Sequence, residues 1–408
     1  MKLLVFAHTP PPHHGQSYMV ELMLEGFGGD CRRHRKNDGN PFGIECYHVN
    51  ARFSKSLQDI GEFQSWKMLL VFIYCLQAIW CRFRYGVKNF YYVPAPGKAV
   101  ALYRDWLVMF LCRPFFERVV LHWHAAGLAK WLETSVQIRT RAVTYRLFKP
   151  VTLSIVISKY NLTDAEKLLS CRIQIVSNGI PDPCPDFEDT VLPRRRGRFL
   201  ARKGIVAGGA PGAAESPRTG ADPQTVRVLY LAHCTREKGL FATLEGVAAV
   251  NHDLAAGGFP LRMKLFVAGI FVSADERAEF DRWMRRPEYA GSVSYLGFIS
   301  DEKKRQTLRE ADLFCFPTRY FGENQPVNLI EAMAFGLPIV TTQWRSLPEM
   351  FPPDYPGLVS GQSPREIADA LFILMTQQTG EQLRKNFVKQ FTVERHLAAL
   401  AEALHGME

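Results

Sequence analysis

LFCFPTRYFGENQPVNLIEAMAFGLPIVTT (Leu313–Thr342) is the stretch from which the fold can be read. Four apolar residues, Leu313 to Phe316, form a strand pattern that Pro317 stops. A polar loop with Gly322, Glu323 and Asn324 follows, and an apolar helix pattern begins near Pro326 and ends at Gly336 and Pro338. Proline suits the start of a helix and glycine the residue beyond its end. Ile339–Thr342 is a second strand pattern. Strand, helix and strand in this order build a parallel sheet.

Two carboxylates stand in this unit, Glu323 and Glu331, with seven residues between them. Glu323 falls just before the helix, where first-turn amides lack intrahelical partners and the helix dipole is positive, a natural anion site. Glu331 lies about one and a half turns into the helix, where a carboxylate can accept hydrogen bonds from a sugar diol. Loop and helix-surface glutamates are ordinarily solvated. Glu331, however, sits inside the apolar run Val327–Ala334 with no cation beside it in sequence, so a ligand is its expected partner.

The stretch resembles the E-x7-E signature of retaining GT-B glycosyltransferases of family 4, through Glu323, Leu329–Ala334, Gly336, Pro338 and Thr341. It departs in the loop, where Asn324-Gln325-Pro326-Val327 replaces the family's Gly-Phe-Gly-Leu and Pro326 offers no amide. The resemblance implies that Glu323 holds the donor sugar, Glu331 the ribose hydroxyls, and Asn324, Gln325, Pro326 and Val327 line the donor.

Working outward, Val226–Ala232 is the first strand of a C-terminal domain, and its loop ends in Lys238-Gly239 before an amphipathic helix. A loop lysine is usually solvated, but one before a helix start can hold a diphosphate. The pair resembles the family's "KG", which assigns Lys238 to the diphosphate. His233 stands where the family often has an arginine, and Arg236 replaces that charge only if the loop folds differently. Phe298 and Ile299, after the strand Val293–Ile299, correspond to backbone against the nucleotide base.

In the N-terminal half, Lys2–Ala7 is a first strand, too short for a signal-peptide core. A loop, Pro10–Gln16, then feeds a helix from Ser17 to about Phe27. The resemblance puts Gly15 and Gln16 beside the donor diphosphate, while His13 and His14 read as solvated loop residues. Val119–His124 is a strand ending in alternate histidines, His122 and His124, on one face. No third ligand lies nearby in sequence, so a metal is not expected. The resemblance brings His124 to the donor sugar.

Trp66–Tyr85 is apolar from Met68 to Cys81 except for Gln77. Those 14 residues fall short of the ~20 that span a bilayer, so the segment reads as a buried or an interfacial helix. Residues 186–225 are rich in proline, glycine, alanine and arginine. They read as a flexible linker or insertion, with the polybasic run Arg194–Lys203 as an alternative lipid-binding patch.

The expected fold is therefore α/β, GT-B, two Rossmann-like domains facing an interdomain cleft. The N-terminal domain covers 1–185, the linker 186–225 and the nucleotide-sugar domain 226–389, with a C-terminal helix in 390–408 packing back on the first. Nine scattered cysteines without C-x-x-C point to a reducing compartment, and a formal charge of +10 favours anionic partners. No nucleic-acid-reading motif accompanies that charge. No G-x-G-x-x-G follows either first strand, which argues against a dinucleotide-dependent oxidoreductase. No D-x-D occurs, so no metal cofactor is expected. The expected activity is transfer of a sugar from a UDP- or GDP-type donor to a saccharide or lipid-linked saccharide acceptor. Its expected place is the cytoplasm or an anionic membrane face. A sugar-nucleotide-binding subunit without activity is the alternative.

Overall fold

Alternation along the first strand sends Leu4 and Phe6 into one apolar cluster and Leu3, Val5 and Ala7 into another, because successive side chains leave opposite faces of a strand. A strand buried on both faces belongs inside a parallel sheet covered by helices. The computed structural model, which describes residues 1–11, 14–33, 40–53, 65–206 and 224–407, builds two such sheets.

The chain divides into one unit of residues 1–181 with 391–408 and another of 182–390. The first contains β1 (Lys2–Ala7), α1 (Gly15–Gly26), β2 (Glu45–Asn50), α2 (Ser65–Tyr85), β3 (Asn89–Tyr92), α3 (Ala99–Cys112) and β4 (Arg118–Trp123). It continues with α4 (Leu128–Thr134), α5 (Ile138–Phe148), β5 (Val151–Val156), α6 (Leu162–Lys167) and β6 (Ser170–Ile175). The second contains α7 (Leu192–Val206), β7 (Thr225–Leu231), α8 (Leu240–Ala256), β8 (Arg262–Ala268), α9 (Ala274–Trp283), β9 (Val293–Gly297) and α10 (Asp301–Glu310). After these come β10 (Leu313–Phe316), α11 (Val327–Ala334), β11 (Ile339–Thr342), β12 (Leu358–Val359), α12 (Pro364–Thr376) and α13 (Gly380–Gln390). Finally α14 (Val393–His405) returns to the first unit, where Leu400, Ala401 and Leu404 join Leu3, Val5 and Met23.

Both sheets have six strands, all parallel. Their orders are β2-β1-β3-β4-β5-β6 and β12-β11-β10-β7-β8-β9. In each, successive strands run outward in both directions from a reversal, between β1 and β3 in the first and between β7 and β10 in the second. Loops at the carboxyl ends of strands flanking such a reversal border a crevice in which ligands bind.

Two expectations need correction. The linker of 186–225 is helical over 187–206, and α7 packs within the second unit; residues 207–223 lie outside the described residues. Val191, Arg195, Arg198, Arg202 and Ile205 form one inward stripe. Arg198 and Arg202 pair with buried Asp312 at 2.8 and 2.6 Å, and Arg196 with Glu381 at 2.8 Å. Composition read this run as solvated because arginine counts as polar wherever it points. The second correction is length. α2 extends past its 14 apolar residues to 21 in all, and Met68–Tyr85, of mean hydropathy 1.3, is long and apolar enough to cross a membrane by length and composition.

Candidate functional site

The loops after β7 and β10 meet at the reversal of the second sheet. Gly239 has φ +86°, and a Cβ there would lie 2.5 Å from the Pro317 carbonyl oxygen. Only glycine lets the first loop close this tightly on the end of β10. Lys238 is thereby held with Nζ 2.5 Å from Glu323 Oε2 and 4.4 Å from the centre of the Tyr320 ring. Thr318 Oγ1 donates to the same carboxylate oxygen at 3.2 Å. The two side chains are only 18% and 9% exposed, so each charge needs the other.

Glu323 precedes α11, whose N-cap is Pro326 and whose first residue is Val327. Asn324 and Gln325 are buried, and the Asn324 carbonyl accepts a hydrogen bond from Ser346 Oγ at 2.6 Å. The loop is thus pinned with the positive end of α11 behind it. For His233, two residues beyond β7, burial pulls the pKa below its ordinary value and the Lys238 charge lowers it further, against a smaller opposing effect of Glu323.

Glu331 corrects the sequence reading. Its partner is a cation, Lys304 of α10, with Nζ 2.5 Å from Oε1. Lys304 lies four residues before Leu308, the buried residue of that helix, and this i, i+4 relation is the signal that could have found it. Phe298 is 66% exposed whereas Ile299 is buried; a ligand can meet the Phe298 ring but only the backbone of Ile299. Arg236 is not part of this charge cluster, for its guanidinium pairs with Glu279 at 2.5 Å.

Gly15, Gln16 and His124 belong to the first unit. Gly15 and Gln16 open α1 rather than end a loop. The helix begins two residues before Ser17 because His14, read as a solvated residue, is its N-cap and shares a capping box with Ser17. His14 Nε2 also lies 2.7 Å from His8 Nε2. His13 lies outside the described residues. His124 follows β4, and its ring stacks obliquely 4.1 Å from that of His122. The Tyr91 hydroxyl lies 2.5 Å from His122 Nδ1. Among the described residues neither ring nitrogen of His124 has a hydrogen-bond partner, and both are buried. A third imidazole, His396 of α14, centres 6.5 Å from His122; α14 is more than 250 residues away in the chain, which is why sequence reasoning missed it. Burial and the neighbouring imidazoles press the His124 pKa down to about 3.

Residues 213–392 match the sequence model of the family described as "Glycosyl transferases group 1". The amylovoran biosynthesis glycosyltransferase AmsK of Erwinia amylovora is 26% identical over 158 residues, 38% of this chain and 37% of that protein. The phosphatidyl-myo-inositol mannosyltransferase of Mycobacterium leprae is 32% identical over 113 residues, 28% of this chain and 27% of that one. The chain therefore matches less than half the length of these curated relatives. In fold it resembles Anabaena Alr3699/HepE, solved with UDP and glucose, over the whole of both chains, at a TM-score of 0.62 and 16% identity. Two parallel six-stranded sheets flanked by helices give the chain the GT-B fold.

Proposed function

We propose that the protein is a retaining glycosyltransferase of the E-x7-E type. It moves a sugar from a UDP- or GDP-sugar to a saccharide acceptor, carried on a lipid at the cytoplasmic face of a membrane, in polysaccharide biosynthesis. The observation that carries this reading is the Lys238–Glu323 pair at the strand reversal of the second sheet. The family match over 213–392 and the printed functions of the relatives support it.

Lys238 and the first turn of α11 take the donor diphosphate, and its arrival gives Lys238 a second anionic partner beside Glu323. As the glycosidic bond breaks, negative charge grows on the leaving diphosphate, and preorganised donors aimed at that charge lower the barrier. Glu323 binds hydroxyls of the donor sugar, and Glu331, steadied by Lys304, binds the ribose. Phe298 lies against the base. Retention follows from reaction on one face, with the departing phosphate oxygen accepting the acceptor proton. With a lysine and a helix end facing the diphosphate, turnover needs no metal.

The test is slow donor hydrolysis by the purified protein, with UDP- and GDP-sugars tried separately. It is expected with one nucleotide class and to persist in EDTA. Nucleotide binding without hydrolysis or transfer would leave a binding subunit. A requirement for magnesium or manganese would refute the metal-free diphosphate site.

A further inference from the structure

The outer face of α2 is an apolar surface that the proposed donor site leaves unused. Val71, Cys75, Ala78 and Cys81 recur at helical spacing and are at most 1% exposed, packed into the first unit's core. On the opposite side Leu69, Phe72, Ile73, Leu76, Trp80 and Phe83 are 44–68% exposed. Leu69, Phe72 or Ile73, Leu76, Trp80 and Phe83 follow one another at three- to four-residue steps, so they form one stripe along about four turns. α3 packs beside α2 and adds Phe110, 66% exposed. Arg82 donates from Nε to the Phe115 carbonyl at 2.8 Å, which keeps Phe115 against Phe83 with ring centres 5.9 Å apart. Contiguous apolar surface on this scale marks an interaction site.

Charge identifies the partner. Residues 65–150 contain thirteen lysines and arginines against three acids, Asp105, Glu117 and Glu133. Asp105 is buried and bound by Arg104 at 2.8 Å; Glu117 pairs with Lys88 at 2.8 Å and Glu133 with Lys167 at 2.6 Å. Arg84 follows Trp80 by one turn and is exposed. α5, joined to α3 by a Trp106–Thr144 hydrogen bond of 3.0 Å, exposes Arg139 and Arg146. A second copy would bring the same positive charge to the contact and be repelled. An anionic bilayer offers what the face lacks, since it takes apolar side chains below its headgroups, tryptophans at them and arginines on them.

We infer that α2 lies in the plane of an anionic membrane as a docking helix, its outer stripe in the lipid and Arg84, Arg139 and Arg146 on the headgroups. It does not cross the bilayer, although its length and hydropathy would allow that, because its other face is part of a folded core. This goes beyond the proposed activity and stands without it, since no residue of the donor site takes part.

The test is co-sedimentation of the full chain with vesicles of phosphatidylcholine alone and with phosphatidylglycerol added. Binding is expected with the anionic vesicles at low salt and release on raising the salt. Leu69→Ser with Phe83→Ser should abolish binding. Arg84→Glu with Arg139→Glu and Arg146→Glu should weaken it about tenfold or more. All these positions are exposed, so folding should survive, and unchanged nucleotide binding checks that it has. Failure to bind anionic vesicles at low salt overturns the inference. So does retention through high salt and alkaline carbonate, which indicates a spanning helix, or a dimer in sedimentation velocity that Phe83→Ser dissociates. Donor hydrolysis, measured separately, tells loss of this inference from loss of the proposed activity.

Discussion

The two units share a six-stranded parallel sheet with one reversal of strand order, yet they equip the strand ends in opposite ways. The first sets imidazoles there: His8 and His14 in contact after β1, and His122 with His124 at the end of β4. The second sets opposite charges in pairs, Lys238 with Glu323 and Lys304 with Glu331. It carries the same habit into its interior, where Asp312 holds Arg198 and Arg202. Strand order creates the crevice, and side chains then decide whether charged or uncharged groups line the strand ends. A buried charge survives only with a partner, whereas a buried histidine escapes the cost by staying neutral.

The comparison breaks most severely at Asp312. Burial alone would raise its pKa, but Arg202 and Arg198 hold the carboxyl below its ordinary range. Asp312→Ala leaves Arg202 buried and uncompensated, and should cost about 3–5 kcal/mol of stability in denaturant unfolding. A loss under about 1 kcal/mol would mean that the second unit does not depend on its buried pairs.

Next in size is the reaction itself. Lys238→Ala should lower turnover by about 10²–10³-fold, whereas Arg236→Ala should change it little, because that guanidinium is engaged by Glu279. Equal losses in a steady-state assay would move the diphosphate away from Lys238.

The smallest effect tests the neutral unit by pH. His8 and His124 titrate near 3 and His396 near 4 in the folded chain, all below the ordinary 6.5, chiefly through burial. Between about pH 6.5 and 4 the unfolded chain binds these protons and the folded chain does not. Stability should thus be full above pH 6.5 and fall as pH drops, by up to about 1.4 kcal/mol per pH unit for each histidine. His124→Gln should flatten that slope in melting curves recorded from pH 7 to 4.5. An unchanged slope would show that the imidazole is not held neutral by burial.

Local patterns determined a good deal of this protein. β10 and β11 begin and end where apolar runs, proline and glycine put them, since each is bounded by residues next to it in the chain. Lys238 and Glu323 were legible as site candidates for the same reason: each lies in a short loop between a strand and a helix. What joins them was not legible, for their pairing requires two loops 85 residues apart to meet across the strand reversal. Only the tertiary structure decided that Lys304 answers Glu331, that His396 reaches the histidines of β4, that α7 buries its arginines on Asp312, and which side of α2 faces outward. Each of these depends on which face of an element meets which neighbour. A sequence records periodicity along one element; the charge or cavity opposite that face is supplied by a distant part of the chain.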